Sequence, residues 1–180
     1  MLSSVRLMVG MAPGGSNDTV ARLVAAELSK SWPQPMIVEN KPGANSTIAT
    51  NELKRATPDG YTLMLVISSH VTNTLLYPKL NYELKDFAPV SLIANTPFLL
   101  VANPAFPPND VKALIAKAKS QKDAIDFGTP GQGSTQHIAM EMMDQMAGIK
   151  LNPIPYKGGA PAQSDLLAGQ IPLIFATPTQ

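Results

Sequence analysis

An α/β fold is predicted by three observations. Short β-rich runs alternate with helical stretches from Val5 onward, two of the strand-to-helix turns are glycine-rich, and every apolar run has strand length. Val5 to Val9 reads as a first strand. Gly14-Gly15-Ser16-Asn17 then supplies turn and cap residues before Val20, Leu23, Val24 and Leu28 recur at helical spacing. Met36 to Val38 is a second strand, Pro42-Gly43 a turn, Ile48 to Arg55 a weaker helix and Thr62 to Ile67 a third strand. Ser68, Ser69 and His70 follow where that strand ends, at the edge of an open parallel sheet that usually faces a ligand crevice; Ser at such a place equally serves to start a helix near Asn73.

From Tyr77 to Pro108 the pattern becomes loops and extended stretches. Pro78, Pro89, Pro97, Pro104, Pro107 and Pro108 are each incompatible with a helix interior. A domain crossing is expected here, with residues 1–100 in a first α/β lobe and 101–180 in a second. Beyond it, Asn109 or Asp110 caps a helix carrying Val111, Leu114, Ile115 and Ala118, and Ile125 to Phe127 is a strand. Gly128-Thr129-Pro130-Gly131-Gln132-Gly133-Ser134 forms the second glycine-rich turn. The helix after it places Ile138, Met142, Met143 and Met146 on one face, read as core, before Gly148 ends it. A strand at Pro153 to Tyr156, a helix at Pro161 to Ala168 stopped by Gly169, and a strand at Ile171 to Phe175 complete the series.

The 180 residues carry 14 basic and 13 acidic side chains, a net charge of +1. Such a chain lacks the field that nucleic-acid or acidic-membrane binding needs. The absence of cysteine removes disulfides, zinc–thiolate sites and thiol nucleophiles together. The longest apolar runs, Leu63 to Ile67 and Phe98 to Ala102, fall far short of the roughly 20 residues that span a bilayer, so a soluble chain is expected. Its start, Met1-Leu2-Ser3-Ser4-Val5-Arg6, has no charged head and apolar middle of a secretory leader; on export, that leader would already have been removed.

A helix N-terminus presents unpaired N–H groups and a partial positive charge, so a glycine turn leading into one can seat an anion without Lys or Arg. Pro13-Gly14-Gly15-Ser16-Asn17-Asp18 and Gly131-Gln132-Gly133-Ser134-Thr135 combine such donors with hydroxyls, a set suited to carboxylate oxygens. Ordinary capped loops have the same composition. Neither turn matches a nucleotide-binding motif, and with His70 and His137 the only histidines there is no metal-ligand spacing. Ser134 near His137 is the nucleophile-like pair. At i,i+3 on one helix, the histidine reads better as a support. Asp18 stabilises a first helical turn or orients bound water at a cleft mouth.

At these residues the sequence resembles a known family. Val9-Gly10-Met11-Ala12-Pro13-Gly14-Gly15-Ser16-Asn17-Asp18, Val38-Glu39-Asn40-Lys41-Pro42-Gly43-Ala44, Pro58-Asp59-Gly60-Tyr61-Thr62-Leu63, Asp86-Phe87-Ala88-Pro89-Val90, Gly131-Gln132-Gly133-Ser134-Thr135-Gln136-His137 and Tyr156-Lys157-Gly158-Gly159-Ala160-Pro161 follow in order. Together they are similar to the Bug-type (Bordetella uptake) substrate-binding receptors of tripartite tricarboxylate transporters. The resemblance implies a periplasmic, non-catalytic receptor without cofactor or metal. Its fold would be the two-lobed type II periplasmic-binding-protein (Venus flytrap) fold, closing over a small organic carboxylate that it hands to membrane transporter subunits.

Carried onto this chain, the family's ligand site selects Met11, Ala12, Pro13, Gly14, Gly15, Ser68, Gly133, Ser134 and Thr135, with Asp18, Gly131 and Ala176 beside them. Three features depart from the pattern. Met11 stands where an aromatic is common, Asn45-Ser46-Thr47 replaces a glycine-rich stretch, and Phe175-Ala176-Thr177 lacks an Asp that would receive an amino group, which argues against an amino-acid ligand. The family pattern also continues past this chain's last residue. A fold truncated at the C-terminus, marginally stable or completed by self-association through uncovered surfaces, is the expectation. A small hydrolase or isomerase using Ser134, His137 and Asp18, and a homologue acting through protein association with little ligand binding, are the competing readings.

Overall fold

The computed structural model describes residues 4–178. Two parallel-rich sheets follow one another along the chain. The first contains β1 (Val5–Val9), β2 (Met36–Asn40) and β3 (Thr62–Leu65) in the order β2-β1-β3, all parallel. Its helices are α1 (Ser16–Ser31), α2 (Thr47–Arg55) and α3 (Ser69–Leu76). The second contains β4 (Leu99–Ala102), β5 (Ile125–Thr129), β6 (Leu151–Pro155) and β7 (Leu173–Ala176) in the order β4-β7-β5-β6, with β4 alone antiparallel. Its helices are α4 (Val111–Ser120), α5 (Thr135–Ala147) and α6 (Gly159–Leu167).

Alternation along the strands decides what each sheet buries. In β1, Val5, Leu7 and Val9 point into a core with Met11, Ala21, Ala25 and Met36. Arg6, between two of them, bonds both oxygens of Glu39 on β2 and also Glu52 on α2, at 2.7–2.8 Å. Three elements are thereby pinned at one partly buried guanidinium, which holds its proton still more firmly because of these acceptors. The second sheet is covered on both faces. Leu114, Ile125, Phe127, Met140, Leu151 and Leu173 form one layer; Ala162, Leu166, Ile171, Ile174 and Ala176 form the other. Gly128 lets these layers close, since a Cβ there would collide with Ile171 and lie 3.1 Å from Ile174 Cγ2.

Several elements differ from the sequence reading. β2 runs on to Asn40, because Glu39 and Asn40 keep register with Met8 and Val9. β6 begins at Leu151 and includes Pro153 and Pro155. It is an edge strand whose next residue, Tyr156, donates its N–H to Thr129, so by alternation both prolines turn their missing donors away from β5. α6 starts earlier, at Gly159, and β4 forms inside the proline-rich stretch as the other edge. Ser68, Ser69 and His70 open α3, as in the capping alternative, though Ser68 makes no side-chain cap bond.

Two helices also bury a different face from the one expected. On α5 the buried residues are Gln136, Met140 and Asp144, while Met142 and Met146 are exposed. On α1 they are Asp18, Ala21 and Ala25, while Leu23 is exposed. The inner stripe of α1 thus combines two alanines with Asp18, and that of α5 combines Met140 with Gln136 and Asp144. Asp144 is buried yet accepts the N–H of Leu151 at 2.7 Å, and burial keeps its carboxyl above the ordinary value.

Candidate ligand cleft

The ends of β1 and β5 each lead through a glycine turn into a helix, so the sheets offer two N-terminal helix mouths at their C-terminal edges. In the first turn, Gly10 has to be glycine, because a Cβ would collide with the Ser46 side chain. Met11 is buried in the first core, and its carbonyl accepts from Asn40 Nδ2 at 3.2 Å. Gly14, at φ 84°, donates its N–H to Asp18 Oδ2 at 3.0 Å. The same carboxylate takes Arg22 Nε at 2.9 Å and Asn40 Nδ2 at 3.0 Å. Burial pushes the Asp18 carboxyl up, but the bonds from Arg22, Gly14 and Asn40 outweigh it and hold it below the usual carboxylate value. Asp18 is thus an ionised brace inside the turn.

In the second turn, Gly131 and Gly133 have φ of 153° and 74°. Ser134 is fully buried and caps α5, its Oγ accepting the His137 N–H at 3.3 Å. Gly133 donates its N–H to His137 Nδ1 at 2.9 Å. That bond places the ring proton on Nε2, 3.4 Å from Glu141 Oε1. The His137 ring therefore faces the turn's backbone, Ser134 meets only the His137 main chain, and Asp18 is engaged by Gly14, Arg22 and Asn40. Ser134, His137 and Asp18 do not form a nucleophile–base–orienter chain.

The halves touch at several points. The Ser68 and Thr135 hydroxyls are in hydrogen-bond contact. Thr72 Oγ1 and Tyr77 Oη donate to the Gly133 and Gln132 carbonyls, each at 3.3 Å. Across the other side of the cleft, the Ala12 N–H donates to the Lys157 carbonyl at 3.0 Å. The first turn therefore meets the Lys157-Gly158-Gly159 turn at the mouth of α6, and the second meets α3 and the segment before α2. Gly158 is required by this approach, having φ 132° and standing where a Cβ would come 3.0 Å from the Ala12 nitrogen.

Between these contacts lies a cavity of about 290 Å³, lined by Met11, Gly43-Ala44-Asn45, Tyr77, Pro130-Gly131-Gln132 and Pro155-Tyr156-Lys157. Of the sequence candidates, Met11 and Gly131 line it. Ala12, Gly14 and Gly15 stand at the seam with α6, Ser68 and Thr135 at the seam with each other, Gly133 within the second turn against α3, Ser134 buried as the α5 cap, and Pro13 exposed in the first turn. Ala176 lies inside the second sheet, paired with Leu99.

Asn45, noted in the sequence as a departure from a glycine-rich stretch, and Tyr156 and Lys157, noted within a motif, also line the cavity without having been chosen as site residues. For Lys157 a signal existed, since Gly158-Gly159 before α6 is a third glycine turn of the same kind. Tyr156 Oη donates to Asp165 at 2.8 Å; burial first, and then that carboxylate, push its hydroxyl up to about 12, so it stays neutral. Ala44, Asn45 and Ser46 are all left-handed, at φ 45°, 49° and 72°, a conformation that nothing in a sequence without glycine there announces. Among the described residues no cluster of His, Cys, Asp or Glu could hold a metal ion.

Residues 20–180 match the family TctC, the tripartite tricarboxylate transporter family receptor. Protein BugT of Bordetella pertussis is 37% identical over 170 residues, which are 93% of this chain and 52% of that protein. The structure of periplasmic binding protein BugD superposes with a TM-score of 0.93 at 36% identity, over 98% of this chain and 60% of that one. The structure of MatC from Rhodopseudomonas palustris with bound malate superposes with a TM-score of 0.89 at 34% identity, over 97% and 60%. The chain spans about half the length of the curated relatives it matches.

Proposed function

Because the chain belongs to the tripartite tricarboxylate transporter receptor family and has the α/β fold of periplasmic binding proteins, we propose that it binds a small organic carboxylate in the cleft between its two sheets. The observation that carries this reading is the meeting of turns from both sheets around one cavity. Glycine-rich backbone at Gly43 and Gly131, with Met11, Asn45, Tyr77, Tyr156 and Lys157, surrounds a space of about 290 Å³, near the lower end of the range for small-molecule pockets. Such walls suit an anion and hold no assembled catalytic chain, which favours capture over turnover.

In this reading residues 1–100 and 101–180 act as two lobes, and occupancy of the cleft is signalled by their closure to transporter subunits in the membrane. The protein works in the periplasm; no described helix is long and apolar enough to cross a membrane. Met11, Gly131, Ser68 and Thr135 are the sequence-derived candidates best placed to meet or enclose the solute. The edge strands β2, β3, β4 and β6, with exposed Leu23, Ile37 and Val66, give the chain surfaces for self-association.

A thermal-shift series with mono-, di- and tricarboxylates tests the proposal. An acid at 100 times its dissociation constant adds about 2.7 kcal/mol of stability, a readily measured rise in midpoint. A cooperative transition that no acid moves would sink it.

A further inference from the structure

Asn45 projects from the first half into the second turn. Its amide lies between the two glycines there: a Cβ on Gly131 would stand 3.6 Å from Oδ1, and a Cβ on Gly133 3.7 Å from Nδ2. Nδ2 is committed, donating to Asn73 Oδ1 at 2.8 Å, while Asn73 returns a bond to the Asn45 carbonyl at 2.9 Å. Oδ1 has no hydrogen-bond partner, although the residue is only 6% exposed. An amide oxygen left this way inside a protein is costly unless something donates to it. Asn45 is also a wall of the cleft cavity, which Gly131 lines beside it. The left-handed backbone from Ala44 to Ser46 aims the amide there, a strained arrangement of the sort retained at binding sites.

We propose that Asn45 is a specificity-determining residue whose Oδ1 accepts a hydrogen bond from a hydroxyl borne by the bound acid, so that the cleft prefers hydroxy acids to their unsubstituted counterparts. A carboxylate alone cannot meet this need at neutral pH, because an ionised carboxylate only accepts hydrogen bonds. A site built to pair with a hydroxyl discriminates against the analogue that lacks it, since its own acceptor is then left unpaired. The inference rests on the carboxylate-binding reading and narrows it.

The test is titration calorimetry of the 180-residue chain with two matched pairs, malate against succinate and lactate against propionate. In the unaltered protein the hydroxy member of at least one pair should bind about five- to tenfold tighter, the worth of one hydrogen bond. Asn45→Gly tolerates the left-handed backbone and removes the acceptor; it should bring that ratio close to one. Asn45→Asp also loses the Nδ2 bond to Asn73 but keeps an acceptor, so it should weaken both acids by charge repulsion while retaining the preference.

Equal binding within both pairs by the unaltered chain would overturn the inference and leave carboxylate binding standing. So would a preference that survives Asn45→Gly, or one lost equally in both variants, since that would make Asn45 a structural support. Binding of none of the four acids would end this inference; the broader acid series then decides the carboxylate reading separately.

Discussion

Asp18 shows how a charged residue at a cleft mouth can be consumed by architecture. Its carboxylate gathers the Gly14 N–H, Arg22 and Asn40, and so joins the first turn, α1 and β2. Asp18→Ala should lower stability by about 1–3 kcal/mol in urea unfolding, because buried donors lose their acceptor. The pH dependence has a definite sign. The folded carboxyl lies below its ordinary value, so its stabilisation is complete above the unfolded pKa of about 4 and fades as pH falls through the lower folded value. An unfolding free energy whose acid dependence is the same with and without Asp18 would contradict this. From sequence alone Asp18 read as either helix stabiliser or water-orienting group; Arg22 and Gly14, each four residues away, bind it locally, and only Asn40 is remote in the chain. Asn45 was visible only as an unusual residue in a glycine-rich context, and its left-handed backbone and bond to Asn73 have no local signature.

The glycine turns at the ends of β1 and β5 were legible because glycine, hydroxyl and cap residues sit directly between strand and helix patterns. Helix orientation was less so. On α5 the apolar positions Ile138, Met142, Met143 and Met146 suggested a core stripe; Met143 does pack against the core, but Met142 and Met146 are exposed and the inner face runs through Gln136, Met140 and Asp144. An apolar stripe is a poor guide where a polar residue on the opposite face is bound from another element, as Asp144 is by the Leu151 N–H. The two orientations predict opposite mutational outcomes. Met140→Ala should cost about 2–5 kcal/mol by leaving a cavity beside Phe127 and Leu151, whereas Met146→Ala should stay within about 0.5 kcal/mol of the parent. Parallel thermal denaturation of both variants decides between them; a large loss at Met146 alone would reverse the assignment. β6 was read from Pro153 to Tyr156, with both prolines inside it, and runs from Leu151 to Pro155.

At the scale of the whole molecule, the alternation of strands and helices was readable from the rhythm of elements, and it builds two sheets in succession. Which turns oppose each other was not readable, because it depends on how the second sheet is set against the first. The turns selected from sequence meet different partners, at α6 and before α2, more than they meet each other. Surfaces outside the cleft give a further expectation. With four edge strands and exposed Leu23, Ile37 and Val66, sedimentation velocity over a hundredfold concentration range should show an average mass that rises with concentration. A constant monomer mass would refute self-association.

The bond from the Ala12 nitrogen to the Lys157 carbonyl joins the two halves through main chain alone. Side chains around the cavity can therefore be rewritten for a new solute without untying this link, and proline at position 12 is the single replacement that deletes its donor. The amide proton of Ala12 consequently behaves as a clock: it trades places with solvent deuterium only while the link is parted, and its lifetime counts how often that bond breaks.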